Sequence, residues 1–276
     1  MHANKKNEPT NLLHKNIRKL QKNTFEMEGI EPNQNIYDNT AFYENYIALR
    51  KQSNGLNNAL ENPHFKKLLP EVKEKDILDL GCGFGKASYE YIQGGAKKVV
   101  AVDISENMVQ HARENYAAPN LSYCISPIQE YDYPENAFDV VVSSLCFHYI
   151  EDYKTLIQNI KRTLRPGGVL LFSQEHPYTL ANIEKTSWQQ DANGDKKHWI
   201  VDNYHEEGAR RHDWFVEDVL KYHRTLENII NTLIKHGFLI DHLGEPFALP
   251  AFEKDAPELK DERRRPPFLF VRCRKP

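Results

Sequence analysis

The stretch DILDLGCGFGKAS, residues 76–88, joins an apolar run to an acid and then to three glycines at alternate positions. Asp79 stands two residues before Gly81, and Gly83 and Gly85 follow at steps of two. Glycine adopts left-handed backbone angles without strain and leaves space for a ligand against the main chain. A turn of this kind between a strand and a helix is typical of the place where a nucleotide-like cofactor approaches the backbone.

A second acid ends the next apolar run along the chain. Asp103 stands 24 positions after Asp79, and an acid at such a place can accept both hydroxyls of a ribose. The glycine spacing argues against a dinucleotide, because that fingerprint separates its second and third glycines by three positions, whereas Gly85 follows Gly83 after two. A helix cap is the alternative role for Asp103, and capping is compatible with ribose binding.

Short apolar runs predict the strands that must position these residues. The five runs are 77–80, 99–102, 121–125, 138–142 and 169–172, and two more follow at 238–243 and 268–273. Because helix-sized segments separate the first five, the pattern predicts a parallel sheet with helices on both faces. The clearest helix covers 153–164, and the RPGG sequence at 165–168 predicts the turn that ends it.

The remaining segments suggest a tail and two covers around one domain. Residues 1–31 are rich in Asn and Lys and predict a flexible N-terminal tail, while 32–70 are aromatic at helical spacing and predict a helical cap before a domain that continues to 276. The strand and helix alternation lapses from about 178 to 222, in a segment rich in His, Trp and acids. We expect this loop-rich insertion after the fifth strand to be a lid.

Composition limits the classes of partner. A formal net charge of −3 gives no overall attraction to nucleic acid or to an anionic membrane, so nucleic acid is an unfavoured partner. No apolar run approaches the roughly 18 residues of a membrane span. The four cysteines are far apart, which indicates a reducing, cytoplasmic setting. The histidines and acids between 198 and 213 lack an H-E-x-x-H pattern, so we expect no metal site.

Four motifs together resemble a known enzyme family. The segments DLGCGFG, AVDISENMVQHA, NAFDVVVSSLCFHYI and LRPGGVLLFSQEHP are similar, in order and spacing, to those of class I S-adenosylmethionine-dependent methyltransferases, and most of all to the small-molecule branch that includes ubiquinone and menaquinone biosynthesis methyltransferases. The resemblance implies an α/β, doubly wound, seven-stranded and mostly parallel sheet of the Rossmann-like methyltransferase type. Its last strand is expected to lie antiparallel between its neighbours, and the implied cofactor is S-adenosylmethionine.

The resemblance also implies residues that bind the cofactor. Around the methionyl part and the sulfonium it implies Asp79, the backbone of Gly81, Cys82, Gly83 and Gly85, and also Ser144 and Leu145. It implies that Asp103 binds the ribose hydroxyls. It also implies that Ile104 and Met108 pack on the adenine. Relatives often hold the adenine amine with an Asp near Pro127, which SPIQEY lacks. The backbone amide of Ile128 is expected to serve instead. Tyr46 and Arg50 lie in the segment expected to close over the cofactor, where Arg50 could pair with its carboxylate; as alternatives they are a core aromatic and a surface charge.

Residues on the acceptor side follow from their place after the strands. His148 follows the fourth strand and His176 the fifth, on the edge where the glycine turn lies, so either is a candidate base; the alternative is an ordinary hydrogen-bonded histidine. Substrate contacts are expected from Tyr149 and His223 and from the lid aromatics Trp199 and Tyr204, with Trp214 and Phe215 as further walls.

The predicted function is methyl transfer to an oxygen, nitrogen or sulfur atom of a small molecule. A nucleic-acid amine methyltransferase would usually carry [DN]-P-P-[YF] after the fourth strand, where residues 143–146 read SSLC. The arginines at 263–265 follow KDE and indicate a balanced surface rather than a nucleic-acid patch. A non-catalytic protein that binds S-adenosylmethionine stays open as an alternative, and the oligomeric state is undetermined.

Overall fold

The structure is a computed structural model that describes residues 34–51, 55–184, 188–248, 254 and 256–276. The predicted tail, 1–31, lies outside the described residues. The helices are α1 (Thr40–Lys51), α2 (Asn62–Leu68), α3 (Lys86–Gln93), α4 (Glu106–Asn115), α5 (Tyr153–Thr163), α6 (Pro177–Leu180) and α7 (Leu226–Lys235). The strands are β1 (Asp76–Leu80), β2 (Lys98–Asp103), β3 (Leu121–Ile125), β4 (Phe138–Ser144), β5 (Leu164–Glu175), β6 (Trp188–Gln190), β7 (Lys196–Trp199), β8 (Gly208–Trp214), β9 (Val216–His223), β10 (Leu239–Gly244) and β11 (Phe268–Arg274).

A seven-stranded sheet in the order β10-β11-β5-β4-β1-β2-β3 forms the centre of the fold. Strands β1 to β5 pair in parallel, while β11 lies antiparallel between β10 and β5. This confirms the predicted fold class, including the antiparallel last strand. The chain order reverses between β1 and β4, so the carboxyl ends of these strands open the crevice in which such sheets bind ligands.

Helices cover both faces of the sheet. On one face α5 and α7 bury Leu156, Ile160 and Leu233 against the apolar strand residues, and on the other α2 and α3 bury Phe65 and Tyr91. The strands are apolar on both sides because both sides are covered, which is why they read as continuous apolar runs in the sequence. Helix α5 confirms the predicted amphipathic helix and ends at Thr163.

The RPGG segment is not the turn that the sequence predicts. Strand β5 begins at Leu164, which pairs with Phe138, and pairing then shifts so that Val169 pairs with Val140. Gly167 has a φ of 78° and donates its amide to the carbonyl of Lys275. The two glycines therefore form an irregularity inside the strand, because the final residues of the chain supply the hydrogen bonds that a free turn would lack.

The N-terminal cap is helical, as predicted, but it is built in separate pieces. A 3₁₀ turn at Ile36–Asp38 precedes α1, and a π-helical turn at Asn57–Glu61 leads directly into α2. The side chain of Asp38 accepts hydrogen bonds from the Ser105 hydroxyl at 2.5 Å and from the Glu106 and Asn107 amides at 3.1 Å each. The cap is thus fastened to the first turn of α4, directly after Asp103.

The insertion at 178–222 is not loop-rich, which corrects the sequence prediction. Strands β6 and β7 form one antiparallel hairpin, and β8 and β9 form another. The alternation of apolar and polar residues is a weak signal in short, polar strands, and therefore the sequence does not predict these four strands. Each arginine of the 263–265 triplet stacks on an aromatic ring, namely Arg263 on Phe247, Arg264 on Trp188 and Arg265 on Trp199. Arg264 and Arg265 therefore join the segment before β11 to the first hairpin, while Arg263 contacts the segment after β10.

Candidate active site

The glycine turn lies at the carboxyl end of β1, as the sequence predicts. The amides of Gly81 and Cys82 donate to the carbonyl of Val102 at 2.8 and 3.1 Å, which ties the turn to the end of β2. Gly81, Gly83 and Gly85 have φ values of 77°, 53° and 77°, so all three use left-handed backbone angles. Cys82 is half-buried, and loss of solvent around its thiol raises its pKa well above the ordinary value, which disfavours a nucleophilic thiolate.

The three glycines differ in what surrounds them. A Cβ on Gly81 would lie 2.6 Å from the Cys146 sulfur, and one on Gly85 would lie 2.6 Å from both Ala112 and the Tyr123 hydroxyl. A Cβ on Gly83 would meet no atom within 4 Å. Protein neighbours therefore exclude side chains at the outer glycines, and only the middle one faces open space where a ligand fits.

Asp103 is positioned to serve both the protein and a ligand. Its Oδ2 accepts from the Gly83 amide at 2.8 Å and its Oδ1 accepts from the Ser105 amide at 3.0 Å. Burial raises the pKa of this carboxyl, and the amide hydrogen bonds oppose that shift. Ser105, not Asp103, caps α4, because its hydroxyl accepts from the Met108 amide at 3.1 Å. Each Asp103 oxygen keeps a lone pair for a further donor, such as a ribose hydroxyl.

Asp79 lies beneath the turn on the face covered by α3. Its Oδ2 accepts from the Ser88 hydroxyl at 2.5 Å, and the residue is 4% exposed. Burial raises the pKa of Asp79 to about 7, against the effect of the Ser88 hydrogen bond. The carboxyl is therefore only partly ionised near neutral pH.

The residues expected around an adenine lie along the next two turns. Ile104 is half-buried and follows Asp103, while Met108 is buried in the first turn of α4. Ile128 is buried after β3, and its carbonyl accepts from the Tyr133 hydroxyl at 2.7 Å. Its backbone is thereby held in place next to the carboxyl ends of β2 and β3.

The turn after β4 contains Ser144 and Leu145, and its side-chain contacts were not expected. The Ser144 hydroxyl donates to Glu61 Oε1 at 2.8 Å, and the Ser173 hydroxyl donates to the same oxygen at 2.7 Å. Leu145 has a φ of 52° and donates its amide to the Ser173 hydroxyl at 3.1 Å. No sequence signal pointed to Glu61, since it lies within an ordinary helical segment before β1.

Aromatic side chains of the cap cover the glycine turn. Tyr46 stacks on Phe84 of the turn, with ring centroids 5.8 Å apart, and Tyr37 lies edge-on to Tyr46 at 5.2 Å. The guanidinium of Arg50 is 5.9 Å from the centre of the Tyr46 ring. Trp214 of β8 contacts Tyr46 at 5.9 Å. The cap and the insertion therefore meet above the carboxyl end of the sheet, with Tyr46 and Arg50 close to the glycine turn.

A buried ion pair lies beyond β4 and β5, on the side away from Asp103. Lys221 of β9 donates to Glu175 Oε1 at 2.6 Å, and its ammonium is 5.3 Å from the centre of the Trp214 ring. The two side chains are 7% and 18% exposed. Burial alone would raise the pKa of Glu175, but Lys221 and His148 lower it to about 2. No sequence pattern pointed to either member of the pair, because only the tertiary fold brings β9 to β5.

Tyr149 belongs to the same region. Its hydroxyl lies 3.5 Å from that of Tyr37, and its ring is 4.3 Å from the ring of His148. Burial raises the pKa of both tyrosines well above the ordinary value, so each keeps its proton. Tyr37, Tyr149 and the ion pair therefore lie close together, on the side of the crevice where the acceptor is expected.

His148 is neutral, and its hydrogen bonds define its tautomer. The ring is 2% exposed, and burial lowers its pKa to about 4 despite the nearby Glu175 carboxylate. The Glu175 amide donates to Nδ1 at 3.3 Å, so the ring proton belongs on Nε2, which is 3.8 Å from Glu175 Oε1. In this arrangement His148 supports Glu175, and neither nitrogen offers a free lone pair.

His176 uses both ring nitrogens as well. Nε2 is 2.8 Å from Glu245 Oε1, and Nδ1 accepts from the Tyr178 amide at 3.1 Å, which caps α6. The ring is buried, and burial lowers its pKa against the effect of Glu245. These contacts are those of a structural histidine.

The other three residues expected to touch the substrate form a separate group. Trp199 is covered by Arg265, whose guanidinium is 4.1 Å from its ring centre, and it donates to the Tyr178 carbonyl. Tyr204 accepts from the Leu226 amide at the start of α7. His223 is fully buried and bonded to the Tyr204 carbonyl. Tyr204 and His223 contact each other, and the three residues together contact α6, α7 and the segment before β11. Tyr149, in contrast, lies with the aromatic group at the crevice.

The donor set fits a nucleoside cofactor with an amino-acid group. Open space at Gly83, free lone pairs on Asp103 and an aromatic cover match a ribose and a base, while two acids and Arg50 match a charged head. Within the described part of the chain, no group of three or more His, Cys, Asp or Glu residues could hold a metal ion. No described helix is both long and apolar enough to cross a membrane.

Comparisons with known proteins agree with this geometry. A family model described as "Methyltransferase domain" matches residues 78–172. The crystal structure of an S-adenosylmethionine-dependent methyltransferase from Mesorhizobium loti is 38% identical, with a TM-score of 0.74, over 80% of this chain and 100% of that one. An uncharacterized protein of Haemophilus influenzae is 38% identical over 87% of this chain and 96% of its own length. A malonyl-[acyl-carrier protein] O-methyltransferase of Erwinia pyrifoliae is 35% identical over 41% of this chain and 42% of its own length.

A doubly wound sheet with a glycine turn and an acid at the end of the next strand defines an enzyme class that uses a nucleoside cofactor. The similarity over whole chains is more specific. The chain belongs to the S-adenosylmethionine-dependent methyltransferases, and its cofactor is S-adenosylmethionine.

Proposed function

We propose that the protein transfers the methyl group of S-adenosylmethionine to an oxygen, nitrogen or sulfur atom of a small molecule. The observation that supports this is the group of aromatic and charged side chains near the glycine turn, namely Tyr37, Tyr149 and Trp214 with the ion pair of Glu175 and Lys221. Aromatic walls with a few buried polar groups are typical of sites for small ligands. A polymer would need an open, charged groove.

The cofactor would be held by groups that are already ordered. We assign the ribose hydroxyls to Asp103, the adenine to Ile104, Met108 and the Ile128 amide, and the methionyl part to the glycine turn, Cys82, Asp79, Ser144 and Leu145, with Tyr46 and Arg50 above it. Bound S-adenosylmethionine supplies a methyl group that its sulfonium already activates. The protein has therefore mainly to align the acceptor and to exclude water.

The cap and the insertion would exclude that water. Phe42 of α1 contacts both Trp214 and Phe215 at ring distances of 5.2 and 5.6 Å, so the two covers close on each other through aromatic contacts. Aromatic packing is not strictly directional, so such contacts can separate and re-form at low cost, as a lid requires. We propose that these segments open to admit the acceptor, with Tyr149 on the pocket wall.

We propose that catalysis depends on positioning more than on a base. The hydrogen bonds of His148 and His176 occupy the lone pairs that a base needs. The pKa of His148, lowered by burial to about 4, also makes it a weak proton acceptor at neutral pH. Proton transfer to one of them is the alternative, and it requires the ring to release its present partner when the acceptor binds.

Two other functions are less well supported. A nucleic-acid methyltransferase would present a basic face, but the arginine triplet is engaged with aromatic rings of this chain. A non-catalytic S-adenosylmethionine-binding protein would not need the buried tyrosines and the ion pair beside the cofactor site. The four cysteines are free, which supports the proposed cytoplasmic setting.

Mass spectrometry of a cell extract incubated with the protein and methyl-labelled cofactor tests the proposal. We expect one labelled small molecule, and much less of it with an Asp103→Ala control at the same cofactor concentration. Label in RNA would instead support the nucleic-acid function, and cofactor binding without any labelled product would support the non-catalytic one.

A further inference from the structure

Glu61 is a buried carboxyl to which no cationic side chain of the described residues is bonded. It ends the π-helical turn before α2, is 1% exposed, and receives the Ser144 and Ser173 hydroxyls on Oε1. Among the described residues no ion pair involves it and no donor reaches its Oε2. Neutral hydroxyls solvate a carboxylate only in part, so a buried carboxylate without a counter-ion is strongly disfavoured.

The surroundings of Glu61 carry the charges of an amino-acid site. Burial raises the pKa of Glu61, while the two serines and Arg50 act in the opposite direction. Arg50, on α1, is thus near enough to affect Glu61 without pairing with it. Burial is the main cause that raises the pKa of Tyr91, and the charges of Asp79 and Glu61 raise it further, so both acids lie in the neighbourhood of Tyr91. Two acids and one separated arginine make a site complementary to an ammonium and a carboxylate.

The position of Glu61 coincides with the end of the cofactor that carries those charges. Ser144 ends β4, and Val142, two residues earlier, pairs with Asp79. Glu61 Oε1 therefore lies one hydrogen bond from the carboxyl end of β4, beside the strand that leads into the glycine turn. Asp79 is the less suitable partner for a cation, because Ser88 occupies its Oδ2 and burial leaves it only partly ionised.

We propose that Glu61 binds the α-ammonium of the methionyl group of S-adenosylmethionine, opposite Arg50, which takes the α-carboxylate. The ammonium supplies the counter-ion that the buried carboxyl lacks. Ser144 and Ser173 hold Glu61 in place and, through the Leu145 amide, connect it to the turn after β4. This proposal rests on the cofactor alone and is independent of which acceptor is methylated.

Calorimetry with two ligands tests the proposal without an acceptor. S-adenosylhomocysteine carries the amino-acid group, and 5′-methylthioadenosine lacks it. Glu61→Gln keeps the size of the side chain and an oxygen for the serines but removes the charge. We expect S-adenosylhomocysteine to bind roughly 10- to 100-fold more weakly, since a charge-assisted hydrogen bond is lost. The affinity for 5′-methylthioadenosine should change by less than about twofold, because nucleoside contacts are untouched.

Two further variants complete the test. Glu71→Gln alters an exposed acid before β1 and should leave both affinities unchanged. Glu61→Asp keeps the charge on a shorter side chain, so it should weaken S-adenosylhomocysteine selectively but less than Gln does, and it serves if the Gln variant does not fold. Equal weakening of both ligands would show a structural role only, and unchanged affinity for both would exclude Glu61 from the site.

Discussion

The two sides of the active site are built in different ways. On the cofactor side, the glycine turn and Asp103 belong to one short stretch of chain and are joined by backbone hydrogen bonds. On the acceptor side, Tyr37, Tyr149, Glu175 and Lys221 come from four separate segments and are joined by side chains. The first side is encoded locally, while the second exists only when the cap, β5 and β9 have assembled.

This difference separates the part of the site that enzymes with this fold and cofactor have in common from the part that can vary between them. Ribose and methionyl groups are the same for every enzyme with this cofactor, so backbone groups at a strand end can bind them. An acceptor differs from one enzyme to another, and the side chains of covering segments can change without altering the sheet. Changes on the two sides should therefore have separable effects on cofactor binding and on the cover.

The largest expected effect is on the acceptor side. Lys221→Met should lower the free energy of unfolding by about 3 kcal/mol, because it leaves Glu175 buried without its cation. The melting temperature measures this loss, and affinity for S-adenosylhomocysteine should stay near normal in the folded variant. Adding Glu175→Gln should restore part of the stability. If Lys221→Met alone were as stable as the wild type, the ion pair would be solvated rather than buried.

The same variant has a defined pH dependence. The pKa of Glu175 is lowered from its ordinary 4.5 to about 2 in the folded protein, so its ion pair stabilises the fold above about 4.5. That contribution is lost as pH falls from about 4.5 to about 2. The difference in melting temperature between wild type and Lys221→Met should shrink over this interval; a constant difference would contradict the assignment.

A smaller loss, confined to the cofactor side, is expected for Asp103→Ala. The variant should bind S-adenosylhomocysteine more weakly by about 1.5 to 3 kcal/mol, since the ribose hydroxyls lose a charged acceptor. Calorimetry measures the change, and NAD should bind neither protein. Unchanged affinity would place the ribose elsewhere.

The contact between the cap and the cofactor side is weaker still. Asp38→Ala removes three hydrogen bonds to the start of α4 and should cost about 1 kcal/mol. Hydrogen exchange in Thr40–Lys51 should become faster. Asp152→Ala, which removes the corresponding cap of α5, is the control and should leave that segment unchanged.

The same exchange experiment on the wild type tests the lid assignment. Binding of S-adenosylhomocysteine and the acceptor should protect the backbone amides of both the cap and residues 178–222 from exchange. Absence of protection in both segments would contradict a closing cover.

The smallest effect is expected for the histidines. If positioning dominates, His148→Asn and His176→Asn should each lower turnover by less than about tenfold with cofactor affinity intact, because Asn can replace part of their hydrogen bonding. A fall of roughly 10² to 10⁴ in either variant, with loss of the acidic limb of the pH profile, would instead identify a base. The measurement requires the acceptor found in the labelled extract.

The sequence by itself determined the sheet, the cofactor and the residues of the glycine turn. These depend on apolar runs, glycine positions and an acid at a strand end, and each of those signals is local. The sequence pattern predicts that a ligand requires all three glycines. In the structure, Cys146 and Tyr123 rather than a ligand exclude side chains at Gly81 and Gly85.

Only the tertiary structure decided the rest of the site. Glu61 meets Ser144 and Ser173, and Lys221 meets Glu175, across long stretches of chain, and no periodicity within one segment can signal such pairs. The place of His148 after a strand predicts a base. Its protonation, however, depends on burial and on the hydrogen bond from the Glu175 amide, and both arise only from packing. Charge, burial and hydrogen bonding are properties of neighbours in space, so the chemistry of the acceptor side is decided by the assembled fold.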